Sequence, residues 1–430
     1  MPRTATLVAA AGLSLVSAAG TLVLVDRAVG GLADPRFTPL AGRPWSRTVL
    51  TRPEFRVPVR TNAAGFRGGP LPGPKPPGVY RIVALGDSFT FGFGVRERQA
   101  WPARLAARLN ARFGGAPRVE VVNLGVPGTG PRDYLWHAAH TGVGLHPDLV
   151  VVGLFANDVN DVYQLDRFGA RSPLFALEAL HQGGLAPRPW WKRAADAALP
   201  NLYALAGRAA ARLATGPGEA RAAPVEASPA AADPERVLAA LADRYGRREA
   251  VLARYRALPD ADRAAVDGLL AGETIGDDVR PTLLLAALVD PDAEADGVLL
   301  RSSDRRRAWD TTAGLLAATV RLARRHGAET AFVVLPASEQ VDRSRWPALE
   351  ALGFRLDPAM LSDTALPDGV RAVGAHEGAA VVDLVHDFRR HPGAPLYFRL
   401  DEHWNARGQA FAAARLADAI APRIHPGSPS

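Results

Sequence analysis

The chain has 430 residues, 48% of them hydrophobic, so it can bury a full core as one large domain with insertions or as two or more smaller domains. Its formal net charge of +7 comes mainly from arginines spread among alanines, which argues against the clustered basic stripe of a nucleic-acid-binding protein. The absence of cysteine excludes disulfides, zinc–thiolate sites and cysteine catalysis.

The first predicted element is an apolar helix. Residues 5–25 are all apolar or small and follow Arg3, a run long enough to cross a bilayer. This predicts a signal anchor, a single transmembrane helix over residues 1–27, with the rest of the chain outside the cytoplasm. The alternative is a signal peptide cleaved near Val16-Ser17-Ala18 followed by secretion, although the run exceeds the roughly 7 to 15 residues of a signal core.

Residues 28–79 are rich in proline, glycine and arginine. Turn signals occur at Gly30-Gly31, Gly69-Pro70 and Pro72-Gly73-Pro74. We expect this segment to be an extended stalk that packs on the following domain.

Beyond the stalk, short apolar runs alternate with helical patterns. The predicted strands cover residues 80–85, 119–124, 149–154, 331–335 and 380–384, and the helical patterns include 131–145, 309–325 and 405–420. Continuous rather than alternating apolar runs indicate strands buried on both faces of a parallel sheet. The fold class is therefore predicted to be α/β, a three-layer α/β/α sandwich formed by residues 80–161 and 306–425.

Residues 162–305 interrupt this alternation. They are rich in alanine and arginine, with helical spacing and no convincing strand, which predicts a helical insertion. Its low-complexity segment near residues 209–234 is so biased toward alanine, proline and glycine that no structure is predicted there. The insertion could be a lid over a site or a surface elaboration, and both interpretations stay open.

Polar residues follow the predicted strands at the points where ligands gather in parallel sheets. Ser88 follows the first strand, Gly125 the second and Asn157 the third, while Asp401 and His403 precede the last helix. Each residue taken singly has an ordinary structural explanation, such as a turn or a helix cap. Their joint order along the chain favours one active site.

These residues fill every role that ester hydrolysis requires. We predict that Ser88 is the nucleophile, that His403 takes and returns its proton, and that Asp401 orients the imidazole. The predicted oxyanion hole comprises the backbone N–H groups of Ser88 and Gly125 and the side-chain amide of Asn157.

Other kinds of site fit less well. The potential metal ligands Asp383, His386, Asp387 and His391 lack a recognised ligand spacing, so no metal and no cofactor is predicted. The segment after Ser88 lacks the second glycine of the α/β-hydrolase motif Gly-x-Ser-x-Gly.

Four motifs resemble the sequence blocks of the SGNH hydrolases, also called GDSL esterases or lipases. They are Gly86-Asp87-Ser88, Gly125, Asn157-Asp158 and Asp401-Glu402-His403. The resemblance covers residues 55–160 and 306–422 and implies a flavodoxin-like fold and serine esterase chemistry. The chain departs from the family at Phe155-Ala156, where members commonly carry glycine two residues before the asparagine.

A fifth segment, Asn62-Ala63-Ala64-Gly65-Phe66-Arg67, resembles exported, membrane-anchored bacterial members of the same family. Together these features predict a serine esterase that removes an O-acyl group, with acetyl as the expected group, from an extracytoplasmic glycan or lipid. The expected partners are that acylated substrate and the membrane, with no nucleic acid. Two alternatives stay open: an O-acyltransferase acting on a cell-envelope polysaccharide, and a noncatalytic glycan-binding protein with the same fold.

Overall fold

The computed structural model describes residues 17, 20–26, 28, 40, 42–168, 198–199, 201–202, 205–206, 233–272 and 280–424. The chain divides into two compact units, Met1–Thr38 with Ala179–Ala231 and Pro39–Glu178 with Ala232–Ser430. In the first unit, the Asp26 carboxylate accepts hydrogen bonds from the backbone N–H groups of Asn201 and Leu202, both at 2.8 Å.

Most of the predicted anchor over residues 1–27 lies outside the described residues, as do residues 209–232 of the low-complexity segment. In the described part of the chain, no helix combines the length and the apolarity needed to span a bilayer. The anchor therefore stays a prediction from the sequence.

The second unit begins with a hairpin inside the segment predicted to be an extended stalk. Its strands are β1 (Arg47–Arg52) and β2 (Phe55–Arg60), which pair antiparallel. In β2, Val57 and Val59 are buried and the residues between and beside them are exposed. This period of two shows that the hairpin packs one face on the domain.

The core is a five-stranded parallel sheet with strand order β4-β3-β5-β6-β7. Its strands are β3 (Val79–Leu85), β4 (Arg118–Asn123), β5 (Leu149–Leu154), β6 (Glu329–Val334) and β7 (Ala380–Asp383). Every residue of the central strand β5 is buried, as expected for a strand covered by helices on both faces. The predicted α/β/α sandwich is confirmed.

Helices flank the sheet in two groups. The described helices are α1 (Ser88–Phe91), α2 (Trp101–Phe113), α3 (Pro131–His137), α4 (Asn157–Phe168), α5 (Pro234–Arg244), α6 (Arg248–Arg256), α7 (Asp260–Leu270), α8 (Arg280–Val289), α9 (Ala293–Leu299), α10 (Ser303–Arg325), α11 (Ser338–Val341), α12 (Trp346–Ala351), α13 (Ala365–Glu377), α14 (Leu384–Arg389) and α15 (Ala406–Ile420). Helices α2 and α15 pack on each other, while α3, α4 and α13 pack against α10.

Local sequence explains where several helices begin and end. Ser302 caps α10 by accepting the N–H of Arg305 at 3.2 Å, and Gly114 ends α2 in the left-handed conformation. The pattern predicted as one helix over 131–145 is α-helical only to His137 and continues as a π turn and a 3₁₀ turn through Leu145. Two glycines in this stretch weaken the α-helix.

Within the region predicted as a helical insertion, the described elements after residue 233 are helices α5 to α9. Helix α9 approaches the sheet edge closely, because a Cβ atom at Gly297 would lie 3.2 Å from the carbonyl oxygen of Ala156. The choice between a lid and a surface elaboration stays open.

One buried side chain ties the last helix to the first two. Gln409 on α15 is completely buried; its Oε1 accepts the Trp101 N–H at 2.7 Å, and its Nε2 donates to the Phe89 carbonyl at 3.3 Å. The helix also starts at a defined point, because Asn405 accepts the N–H groups of Arg407 and Gly408. These contacts set the residues just before α15 beside α1.

We expect Gln409→Ala to lower the free energy of unfolding by about 1 to 3 kcal/mol, since it leaves a buried N–H and a buried carbonyl without partners. Urea unfolding of the purified protein measures this. The exposed Arg407→Ala, on the same helix, serves as the control and should change stability by less than about 0.5 kcal/mol. Equal effects of the two variants would contradict the role given to Gln409.

Candidate active site

The turn that carries Ser88 leaves no room for a side chain at its first position. Strand β3 ends at Leu85, and a Cβ atom at Gly86 would overlap Thr90 Oγ1. Asp87 caps α1 by accepting the Phe89 N–H at 2.9 Å. Ser88 is the first residue of α1, so its backbone N–H has no acceptor within the helix.

The structure brings Ser88, His403 and Asp401 into one hydrogen-bond chain across 315 sequence positions. His403 Nε2 lies 2.7 Å from Ser88 Oγ, and His403 Nδ1 lies 2.6 Å from Asp401 Oδ1. Asp401 Oδ1 also accepts the backbone N–H of His403 at 2.9 Å. In the tautomer whose Nδ1 carries the proton, Nε2 can accept the hydroxyl proton of Ser88.

Burial and charge act against each other at this pair. Burial favours the neutral imidazole, but the Asp401 hydrogen bond and the charges of Glu402, Asp401 and Asp87 outweigh it and raise the pKa of His403 above its ordinary value. Burial also acts to raise the pKa of Asp401, but the hydrogen bond and charge of His403 outweigh it and leave that pKa lowered. The pair therefore favours an aspartate beside an imidazole that is readily protonated.

Two fully buried carboxyl groups support the turns around Ser88 and Asn157. Burial raises the pKa of Asp87 to about 6, and burial together with the charge of Asp87 raises the pKa of Asp158 well above its ordinary value. Asp158 accepts the Tyr134 hydroxyl at 2.8 Å and the Phe155 N–H at 2.9 Å. These bonds fix the turn that leads into Asn157.

The three predicted oxyanion donors follow adjacent strands, since Gly125 follows β4, Ser88 follows β3 and Asn157 follows β5. They therefore lie along one edge of the sheet. Asn157 begins α4, and its Oδ1 is buried without a hydrogen-bond partner among the residues that the structure describes.

Gly125 differs from expectation in one respect. Its N–H donates to Asn123 Oδ1 at 2.9 Å, so in this arrangement the predicted oxyanion donor is already occupied. The position requires glycine for clearance, because a Cβ atom there would lie 2.5 Å from the Phe91 nitrogen. The Asn123 side chain also donates to the Thr90 carbonyl at 2.8 Å, which ties this loop to α1.

Aromatic rings enclose the imidazole, a feature that the sequence motifs did not indicate. The ring of Phe155 stacks on Phe89 at 4.2 Å between centroids, and Phe89 and Phe93 lie 5.0 Å and 4.7 Å from the His403 ring. Phe155 occupies the position at which the resemblance to the SGNH hydrolases implies glycine. Its ring fills space behind α1 and leaves an apolar wall beside the site.

The segment of residues 62–67, which resembles membrane-anchored SGNH hydrolases, contacts the C-terminal end of α1 through Arg67. The buried Arg67 guanidinium donates to the carbonyls of Phe91 at 3.0 Å, Gly92 at 2.6 Å and Val95 at 2.6 Å. Burial lowers the pKa of Arg67 to about 10, although the charge of Glu97 acts to raise it, so the side chain is still charged at neutral pH. The sequence motif pointed to this segment but not to its contact with the Ser88 helix.

The acidic residues considered as metal ligands have structural partners. Asp383 caps α14 through the Val385 N–H at 2.9 Å and pairs with Arg371, and Asp387 pairs with Arg415 at 2.9 Å. In the described part of the chain, no three His, Cys, Asp or Glu side chains are grouped so as to hold a metal ion.

The raised pKa of His403 predicts how this site responds to pH. The imidazole is protonated below that pKa and cannot take the Ser88 proton, so the reaction of Ser88 with a fluorophosphonate should accelerate as the pH rises through it. Asp401→Asn should lower the pKa and shift the rise to lower pH, because it removes a charge that stabilises the imidazolium. NMR titration of the histidine rings measures the pKa, and the labelling rate at a series of pH values measures the shift of the rise. The exposed Asp418→Asn is the control, and an unchanged pKa in Asp401→Asn would contradict the assignment.

Solved structures similar to the chain include three esterases or acylhydrolases. An acetylxylan esterase from Geobacillus stearothermophilus (a catalytic mutant) is 10% identical, covering 79% of this chain and 94% of its own, with a TM-score of 0.35. The lipase/acylhydrolase from Enterococcus faecalis is 14% identical (81% and 100% covered, TM-score 0.34), and the acetyl xylan esterase AlAXEase is 12% identical (79% and 99% covered, TM-score 0.35). Likeness at this level bears on neither activity nor substrate.

Two family models match consecutive parts of the chain. Residues 84–285 match the GDSL-like lipase/acylhydrolase family, and residues 295–429 match the SGNH hydrolase-like domain of the acetyltransferase AlgX. No curated protein matches the chain. The first match contains Ser88, Gly125 and Asn157, and the second contains Asp401 and His403. The chain therefore contains a GDSL/SGNH hydrolase-like domain.

Proposed function

We propose that the protein is a serine esterase that hydrolyses an O-acyl ester through an acyl-enzyme. The observation that carries the proposal is the continuous hydrogen-bond chain from Ser88 Oγ through the His403 ring to Asp401 Oδ1. A nucleophile, a base and an orienting carboxylate within bonding distance are what acyl transfer to a serine requires.

In the first half of the reaction, Ser88 Oγ attacks the ester carbonyl while its proton passes to His403 Nε2. The tetrahedral intermediate collapses, the bond to the alcohol oxygen breaks, and His403 returns the proton to the departing alcohol. In the second half, water attacks the acyl-serine and gives its proton to His403, and Ser88 Oγ leaves with that proton as the acid is released. Asp401 keeps its charge throughout and stabilises the imidazolium.

The oxyanion would be stabilised by the Ser88 N–H and the Asn157 side chain. Both groups suit that role, because the Ser88 N–H has no acceptor within the helix and the Asn157 side chain ends in an amide whose NH₂ group can donate a hydrogen bond. A contribution from the Gly125 N–H would require its bond to Asn123 to open or to be shared. One such donor is worth about a hundred- to a thousandfold in rate.

The substrate class follows from family likeness and predicted location. We propose that the substrate is an O-acyl group, specifically acetyl, on a glycan or lipid outside the cytoplasm, and that the predicted helix over residues 1–27 holds the domain at the membrane. The apolar run in that segment supports the location, and the acylhydrolase family match supports the reaction class.

We expect Ser88→Ala and His403→Ala to lose cleavage of p-nitrophenyl acetate by about a thousandfold or more, because each removes a member of a unit that acts together. Labelling by a fluorophosphonate probe should disappear in Ser88→Ala. The matched controls are the exposed Ser344→Ala and His376→Ala, which should behave like the wild type. Equal nitrophenol release by the wild type and Ser88→Ala would contradict the nucleophile, and an unreactive wild type would favour the noncatalytic glycan-binding alternative.

One observation favours a second function, O-acyl transfer to a polysaccharide. Residues 295–429, which include Asp401 and His403, match a domain named for an acetyltransferase. Hydrolysis and transfer share the acyl-serine and differ only in whether water or a sugar hydroxyl attacks it.

If the protein is a hydrolase, the acyl group is transferred to water and released as the free acid. We expect the wild type, incubated with p-nitrophenyl acetate and a mixture of envelope polysaccharides, to release acetate in proportion to nitrophenol. Mass spectrometry of the glycans measures any gain in acetyl mass, with Ser88→Ala as the blank. A Ser88-dependent acetyl gain that grows with glycan concentration would identify the protein as a transferase instead.

A further inference from the structure

The tip of the β1–β2 hairpin reaches the loop that carries Asp401. The Glu54 carboxylate accepts three successive backbone N–H groups: Oε1 accepts that of Arg399 at 2.7 Å, and Oε2 accepts those of Leu400 at 2.6 Å and Asp401 at 3.0 Å. Successive N–H groups that converge on one carboxylate form a nest for an anion. Glu54 supplies that anion from a segment 345 positions away.

The loop has few other supports at this point. Arg399 and Leu400 are exposed and belong to no helix or strand, and within the described part of the chain the one bond to the Leu400 carbonyl is a long one, of 3.4 Å, from Arg345. The loop becomes firmly paired only on either side, where Phe398 N–H donates to the His403 carbonyl at 3.0 Å. Among the described residues, Glu54 thus supplies the shortest hydrogen bonds to the backbone of residues 399–401.

Phe55, the residue after Glu54, packs against aromatic rings on the Ser88 side of the site. The Phe55 ring lies 4.9 Å from Phe398 and 5.8 Å from Phe93, measured between centroids. Phe93 in turn packs on the His403 ring at 4.7 Å. The hairpin tip thus contacts both the Asp401 loop and Phe93, whose ring packs on the imidazole.

We infer that Glu54 is a positioning residue, whose carboxylate holds the backbone of residues 399–401 so that Asp401 Oδ1 meets His403 Nδ1. The effect on rate rests on the proposed esterase function, whereas the effect on the Asp401–His403 hydrogen bond does not. All three partners of Glu54 are donors, so a carboxylate is required. A glutamine of the same shape would turn its own NH₂ toward at least one N–H.

The test compares Glu54→Gln with Glu97→Gln, which alters an exposed carboxylate paired with Arg60 of the same hairpin. We expect Glu54→Gln to lower kcat for p-nitrophenyl acetate by about ten- to a hundredfold with little change in KM, because a misplaced orienting group affects the reaction more than binding. Glu97→Gln should retain the wild-type rate. Unfolding curves of both variants show whether the fold is intact.

Chemical rescue makes the test specific for the nest. In Glu54→Ala, sodium formate should restore the rate in a saturable way, because its carboxylate can occupy the three vacated N–H groups. Sodium chloride at equal ionic strength should not, and neither salt should restore Ser88→Ala. A loss in Glu54→Ala that formate leaves unchanged, together with a wild-type rate in Glu54→Gln, would overturn the inference.

A readout independent of activity separates this inference from the proposed function. The proton that His403 Nδ1 donates to Asp401 gives a low-field NMR resonance, which we expect in the wild type and in Glu97→Gln but weakened or absent in Glu54→Gln. If the wild type neither hydrolyses esters nor labels with a fluorophosphonate, the esterase proposal fails, and this resonance still decides the role of Glu54. An identical resonance in all three proteins would refute it.

Discussion

The arrangement of this site depends on the docking of the last helix against the first two helices of the sandwich. Gln409 makes that docking specific, since its buried amide joins the Trp101 N–H to the Phe89 carbonyl. A buried amide with both partners satisfied resists sliding, because any shift would leave polar groups unpaired away from water. The His403 ring is thereby held at 2.7 Å from Ser88 Oγ, although the two residues lie at opposite ends of the domain's sequence.

The N-terminal segment of the larger unit completes the arrangement from the other side. Arg67 holds the carbonyl end of the Ser88 helix, and Glu54 holds the amides of the Asp401 loop. A buried cation on carbonyls and an anion on amides are charge-assisted interactions, which are stronger than bonds between neutral groups. The segment predicted to be an extended stalk packed on the domain thus contacts both the Ser88 helix and the Asp401 loop, and the site is built from three distant parts of the chain.

Much of the sheet could be predicted because buried parallel strands are continuous apolar runs. The run at 149–154 coincides with β5, and the other predicted strands begin and end within two residues of the observed ones. The hairpin was not predicted, because Arg47, Arg56 and Arg60 place charges along strands that are half exposed and Pro58 interrupts the second one. In a two-stranded ribbon with one buried face, the alternation of apolar and polar residues is too short to be recognised in the sequence as a strand pattern.

The sequence by itself determined which side chains are available for chemistry at this site, since it places a serine at a strand end and an aspartate and a histidine before the last helix, and the structure joins the three in one hydrogen-bond chain. Only the tertiary structure decided how they are supported: the Gly125 N–H occupied by Asn123, the Phe155 ring in place of a glycine, and Glu54 on the Asp401 loop. The reason is physical. Residue types and their order can be read directly from the sequence. The partner of a backbone amide or of an aromatic face depends instead on how segments hundreds of residues apart pack together.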